Sequence, residues 1–369
     1  MVAAVLVCAA SAARVGALAA EGAPSRCRPA PAVPGVTEGE SLPGTVAPSV
    51  GVLRAVLLFV HAADAPPDDS VAAPRELIDS AGAWFRSVSY GRLEFRVETV
   101  PRWLPLPARS PEYVADAGRY LADAVAAADP YVDFSEFDVV YIAPSSRTPT
   151  TATSAILNGF GVRADGRDVR FWVPFGAGFA EQGYEWLLLH ETGHLLGLPD
   201  LYVRGASSTF HRWDLMAARY PSELFAWHRW KLGWIDEGQV VCVTGRANRV
   251  VTLTPVERAG GTKALFVKRG SRVLAAEVRA RDGYDRTLCE TGVLVYEVDQ
   301  TPFRRAPIHI HPARPDGKAP ARDCSGQWNA PLELGRREVS TLRLPHLSVR
   351  LELLARLRDG SYRIRLTSS

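Results

Sequence analysis

Two histidines four residues apart, His190 and His194, with Glu191 directly after the first, are the side chains best suited to do chemistry in this chain. They open the stretch His190-Glu191-Thr192-Gly193-His194-Leu195-Leu196-Gly197-Leu198-Pro199-Asp200. On an α-helix, positions i and i+4 share a face about one turn apart, so two imidazoles at this spacing can bind one Zn²⁺. Glu191 then stands beside the metal, placed to take a proton from a zinc-bound water. Gly197 permits a sharp exit from the helix, and Pro199 stops the helix from continuing. The chain can fold back there and bring Asp200 to the metal as a third ligand. Three protein ligands leave one tetrahedral position for water, as catalytic sites do and closed structural sites do not.

These ligands need a buried helix under them. Tyr184 to Leu189 and Leu195 to Leu198 are apolar nearly all round, as such a helix should be. Gly193 sits in its middle, where glycine costs about 1 kcal/mol relative to alanine. A local rule broken inside a site helix points to a close backbone approach. Of the two methionines in the chain, one falls within the expected leader described below. The other, Met216, lies downstream in Trp213-Asp214-Leu215-Met216-Ala217, where it can form an apolar base beneath the metal. Tyr202 and Tyr220 are candidates for stabilising an oxyanion, although tyrosines are common in clefts for structural reasons. His211, close before Met216, is a cleft candidate, and His228 reads as core or surface. A strand over His309 and His311 would put both on one face for a second metal, but the flanking prolines favour a loop. His61 and His346 carry no signal.

The rest of the chain supplies a scaffold of ordinary composition. Its 369 residues allow two domains, and 47% hydrophobic against 22% charged residues describes a globular, soluble protein. A net charge of +3 is too small to argue for nucleic acid or an anionic membrane. Residues 2–20 are almost wholly small or apolar and end in Ala17-Leu18-Ala19, the pattern of a cleaved secretory signal over 1–20. Arg14 leaves that run short of a membrane span, so no stable membrane anchor is expected. Past Cys8, four cysteines remain, and an even number in a secreted chain points to two disulfides with three connectivities open. The pairs favoured are Cys289 with Cys324 and Cys27 with Cys242.

Residues 21–48 are rich in Pro, Ala and Gly and read as a linker or short pro-segment. From 49 to 236, strand and helix patterns alternate. Strands are expected at Arg54–Val60, Leu93–Val100, Phe137–Ile142 and Val169–Val173, the last at a sheet edge open to an extended peptide. Helices are expected at Pro74–Ser87 and, as one piece, Pro111–Ala128. The acidic turn Asp64–Asp69 could hold a structural Ca²⁺. From 237 to 369 the signals are nearly all short alternating strands, which predicts a β-sandwich or small barrel. The fold class expected is therefore α+β, a catalytic domain over 49–236 followed by an all-β domain.

The active-site stretch HETGHLLGLPDLY (His190–Tyr202) resembles that of the M6 peptidases, the immune inhibitor A-like secreted metalloproteases among the metzincin-like zincins. Trp213 to Met216, Pro221, Ala226 and Lys231-Leu232-Gly233-Trp234 resemble the Met-turn and following helix of that family. Ser89-Tyr90-Gly91, Asp133 to Asp138 and Gly292 to Asp299 (GVLVYEVD) are similar to further landmarks, so the likeness covers roughly residues 50–300. The resemblance implies a zincin fold and a secreted, monomeric zinc endopeptidase acting on proteins or peptides. His190, His194 and Asp200 would hold the metal, Glu191 would be the base, and Met216 would mark the Met-turn. Two other readings are a zinc amidase and a secreted binding protein that keeps a silent site.

Overall fold

The computed structural model describes residues 26–28, 37–67, 70–71, 75–148, 155–177, 179, 185–202, 213–218, 220–300, 307–315, 329–335 and 339–369. The expected leader over 1–20, Cys8, Cys324 and His211 lie outside them.

A strand with apolar residues on both faces must be covered on both sides. β1 (Gly51–His61) is such a strand, buried without a break from Ala55 to Val60. It pairs in parallel with β2 (Leu93–Pro105) and with β3 (Val139–Pro144). After the short hairpin β4 (Arg163–Ala164) and β5 (Arg167–Asp168), β6 (Phe171–Pro174) adds to β3, also in parallel. The sheet order is β2-β1-β3-β6. Alternation along β1 divides the core. Leu53, Ala55, Leu57 and Phe59 pack with Trp84 and Phe85 of helix α1 (Arg75–Val88). Val56, Leu58 and Val60 pack on the other side. That side is covered by two helices, α2 (Ser110–Ala115) and α3 (Ala117–Ala128). The site helix α4 (Glu185–Leu195) lies on the α1 side of the sheet.

Two local expectations need correction here. The single helix over Pro111–Ala128 is two, because Asp116 leaves helical geometry (φ −138°) and its carboxylate accepts from the Arg119 N–H at 2.9 Å. An aspartate with a free N–H within reach caps a new helix better than it continues an old one. The segment at Val169–Val173 is not an open edge. At Trp172, β6 carries an antiparallel bridge from Ile156 on the side away from β3. In the acidic turn, Asp64 spends its carboxylate on Ser110 at the start of α2, accepting from its N–H and hydroxyl at 2.8 Å; Asp68 and Asp69 lie outside the described residues.

After the short helix α5 (Ala226–Lys231), the described residues hold strands and 3-10 turns only. In order they are β7 (Val240–Val243), β8 (Ala247–Leu253), β9 (Ala264–Arg269), β10 (Arg272–Arg279), β11 (Gly292–Asp299), β12 (Ile308–Ile310), β13 (Thr341–Leu344), β14 (Val349–Arg356) and β15 (Tyr362–Ser368). They form a five-stranded sheet, β12-β11-β10-β9-β7, and a four-stranded one, β13-β14-β15-β8. Leu265, Leu274 and Val295 of the first share a core with Leu351 and Ile364 of the second, so the sheets pack face to face. The chain is thus mixed α/β with a β-rich second half. His309 lies in β12, where a loop was expected; the ladder to β11 overrides the flanking prolines.

The change of character near Asp236 is not a break in the core. Phe266, Ala275 and Tyr296 on the other face of the five-stranded sheet belong to the same apolar cluster as α1, α4 and α5. The described end of the expected linker is packed as well. Glu38 is 1% exposed, and the Ala47 N–H donates to Leu195 O at 2.8 Å. Cys27 and Cys242 form the disulfide expected between this segment and the body. No described helix is long and apolar enough to cross a membrane.

Candidate active site

α4 is tied to the sheet through Thr192, whose hydroxyl donates to Leu188 O and accepts from Tyr141 of β3, both at 2.6 Å. Its C-terminal end is a Schellman turn. Leu198 N–H donates to Gly193 O and Gly197 N–H to His194 O, each at 2.9 Å, with Gly197 at φ +98°. A side chain on Gly197 would also run into Ser41 and Val46 of the N-terminal segment. Lys231 of α5 closes the end by donating to Gly197 O and Thr37 O. Burial lowers the Lys231 ammonium to about 8.

This exit turns the chain back on the helix. Asp200 Oδ1 lies 3.2 Å from His190 Nε2 and 3.3 Å from His194 Nε2. Ligands on a tetrahedral zinc with bonds of roughly 2.0–2.1 Å stand about 3.3 Å apart, so the donor set fits one zinc ion. The imidazoles are held in the matching tautomer. His194 Nδ1 donates to Leu198 O at 2.7 Å and His190 Nδ1 to Leu215 O at 3.4 Å, which turns both Nε2 atoms to Asp200 and leaves them as the atoms that would take a metal. The pocket opens on the aspartate side: the Asp200 side chain is 41% exposed and that of His190 4%. Burial would raise the Asp200 carboxyl, but the two imidazoles outweigh it and hold the group below its ordinary range. Burial would lower His194, and Asp200 overrides it to leave the imidazole raised.

Glu191 is held from outside the helix. Its Oε2 accepts from the Ala155 N–H at 2.7 Å, one residue from the bridge to β6. That backbone donor fixes the carboxylate and leaves Oε1 to other partners.

Met216 lies where the glycine in α4 requires it. A Cβ on Gly193 would stand 2.7 Å from Met216 Sδ. The methionine belongs to a 3-10 turn, Leu215–Ala217, and Leu201 N–H donates to Met216 O at 3.2 Å. One turn therefore touches α4 at Gly193 and at His190, and the segment that follows Asp200. Asp214 caps it, accepting from Met216 N–H at 2.8 Å and Phe225 N–H at 2.7 Å. His228 donates to the same carboxylate at 2.8 Å and faces Glu38 at 3.2 Å on its other nitrogen. Burial alone would lower that imidazole, but Asp214 and Glu38 raise it to about 10, so it is a buried cation. Below, Arg279 of β10 donates to Trp213 O at 2.7 Å and is paired with Glu277 and Asp285.

Of the residues singled out in the sequence, His190, Glu191, His194, Asp200 and Met216 come together. Tyr202 is exposed, with its ring stacked 6.1 Å from that of His190. Tyr220 is half-buried past the turn. Sequence reasoning missed Ala155, which acts through its backbone and leaves no side-chain signal. It also missed Glu38, Asp214 and the charged role of His228, whose only trace was a histidine in a Trp/Arg-rich helix. No family model matches this chain, and no curated protein matches it.

Proposed function

We propose that the protein is a zinc-dependent endopeptidase of the M6-like, metzincin-like kind, exported and acting as a monomer on protein or peptide substrates. The observation that carries the reading is the convergence of His190, His194 and Asp200 at 3.2 and 3.3 Å, with a fixed carboxylate, Glu191, on the same helix. Zinc held by these three side chains would supply a Lewis acid and a water acidified toward neutrality. Glu191 is the proton carrier: with Oε2 held by Ala155, Oε1 takes the proton of the attacking water and passes it to the leaving amine. The disulfide between Cys27 and Cys242 favours an oxidising compartment.

The first test is cleavage of a general protein substrate by wild type and Glu191→Gln, with zinc measured on the same samples. Glu191→Gln should keep the metal and lose activity by about 10²–10⁴-fold. Equal cleavage by both proteins would remove Glu191 from its role. Zinc in both with cleavage by neither would favour the silent binding protein.

A further inference from the structure

The β-rich half holds a second set of donors, remote in sequence from the first. Glu297 of β11, His311 just after β12 and His346 in the 3-10 turn Pro345–Leu347 bring one ligand atom each within 4.8 Å of one another. Glu297 Oε2 lies 3.1 Å from His346 Nε2 and 3.5 Å from His311 Nε2. These separations bracket the edge of about 3.3 Å expected between ligands on a tetrahedral zinc. They are also close to the 3.2 and 3.3 Å found around Asp200.

Ion pairing accounts for only part of the group: His346 Nε2 is hydrogen-bonded to Glu297 Oε2, whereas His311 Nε2 stands 3.5 Å from the same oxygen without hydrogen-bond geometry. His311 Nε2 is buried and has no hydrogen-bond partner, although a carboxylate oxygen faces it. A buried ring nitrogen in that position is unsatisfied as it stands and satisfied as a ligand. Glu297 is meanwhile oriented from behind. Arg272 Nη1 lies 3.1 Å from its Oε1, and the same guanidinium reaches Asp299 at 3.8 Å. That leaves Oε2 for the imidazoles, the kind of outer support that metal-bound carboxylates have. The backbone under the group is fixed as well: His309 pairs with Glu297 across the ladder, and His311 N–H donates to Val295 O at 2.9 Å. The His309 ring lies on the rim, 5.2 Å from that of His311.

We propose that Glu297, His311 and His346 form a second divalent-metal site that takes zinc and joins the two sheets of the β-sandwich. Two imidazoles and one carboxylate suit zinc and similar borderline ions, whereas calcium takes six to eight oxygens. Glu297 and His311 come from the five-stranded sheet, and His346 from the turn between β13 and β14 of the other. A metal between them pins the ends of the two sheets to each other. His346 is half exposed, so an ion can enter from solvent.

The test is zinc stoichiometry of the full chain by elemental mass spectrometry, with thermal melts with and without zinc. The proteins are wild type, His311→Asn/His346→Gln, His190→Ala/His194→Ala, and the combination of all four substitutions. The expected contents are two, one, one and none. The zinc-dependent rise in Tm should persist in His190→Ala/His194→Ala and shrink in His311→Asn/His346→Gln. If the double variant at His311 folds poorly, the half-exposed His346→Gln alone should lower zinc affinity by at least tenfold. Wild-type zinc content in His311→Asn/His346→Gln, unchanged affinity in His346→Gln, or no zinc in His190→Ala/His194→Ala, would overturn the proposal. One zinc in wild type that survives His190→Ala/His194→Ala would instead sink the reading of the first site and leave this one standing.

Discussion

A Cβ on Gly193 would stand 2.7 Å from Met216 Sδ. Helix propensity and packing therefore predict opposite signs for Gly193→Ala. Propensity alone promises a gain of about 1 kcal/mol. The close approach predicts a loss of about 1–3 kcal/mol from overpacking, because Met216 is fixed by its own turn and cannot retreat freely. We expect the loss, seen as a lower Tm, with activity reduced through displacement of the His190 support. Met216→Ala should restore part of the stability of Gly193→Ala by making room; no rescue would mean that the contact is not the cause. At this scale the site was largely readable from sequence. Helical spacing alone puts His190 and His194 on one face, and Gly197 with Pro199 dictates the return that delivers Asp200. What could not be read were the backbone partners: Ala155 N–H on Glu191, and the Leu198 and Leu215 carbonyls that choose the tautomers. Every residue carries such groups, so no residue type announces them.

The turn Leu215–Ala217 is positioned by one buried cation. His228 holds the Asp214 carboxylate on one side and Glu38 of the N-terminal segment on the other. Its pKa is raised from the ordinary 6.5 to about 10, with burial opposing and the two carboxylates prevailing. A base raised on folding stabilises the fold fully below its unfolded pKa. That contribution, on the order of a few kcal/mol, fades as the pH climbs from about 6.5 and is gone above about 10. Lys231, lowered to about 8 by burial, has the opposite sign over the upper part of that range. The clean measurement is therefore on the histidine itself. The ¹⁵N shifts of the His228 ring should report a doubly protonated imidazole up to about pH 9, and titration near 6.5 would refute the buried cation. The stability gap between wild type and His228→Gln should narrow toward pH 10 for the same reason. The family resemblance pointed to a helix where α5 lies, but nothing in the sequence pointed to the pairing. Glu38 and His228 lie 190 residues apart, and nothing local links them. The same holds for β12, which is too short for a pattern of its own and exists because β11 lends it a ladder.

At the scale of the whole molecule, the β-rich half is part of what holds the candidate site together. Phe266, Ala275 and Tyr296 share one apolar cluster with α1, α4 and α5. Polar contacts cross the same boundary: Glu277 of β10 accepts from Ala226 N–H and from Tyr296 OH, each at 2.7 Å, and Tyr296 OH accepts from Trp227 N–H at 3.2 Å. Arg279 reaches Trp213 O, next to the Asp214 cap. The Cys27–Cys242 disulfide adds a covalent tie between the N-terminal segment and β7. Composition could show where helices give way to strands near Asp236, but it could not show whether a core stops there, because apolar residues look alike on an internal face and on a domain interface. If the core is continuous, the protein unfolds as one unit. Calorimetry should give a single transition with agreeing calorimetric and van't Hoff enthalpies, and Cys27→Ala/Cys242→Ala should lower that one transition by about 2–5 kcal/mol without splitting it. A fragment ending at Asp236 should be molten or insoluble, since it would expose the apolar faces that β9, β10 and β11 cover and leave the 213–218 turn without Arg279. Two separate transitions, or a folded and active fragment, would show that the sandwich is an appendage and that the 213–218 turn is held by the helices alone.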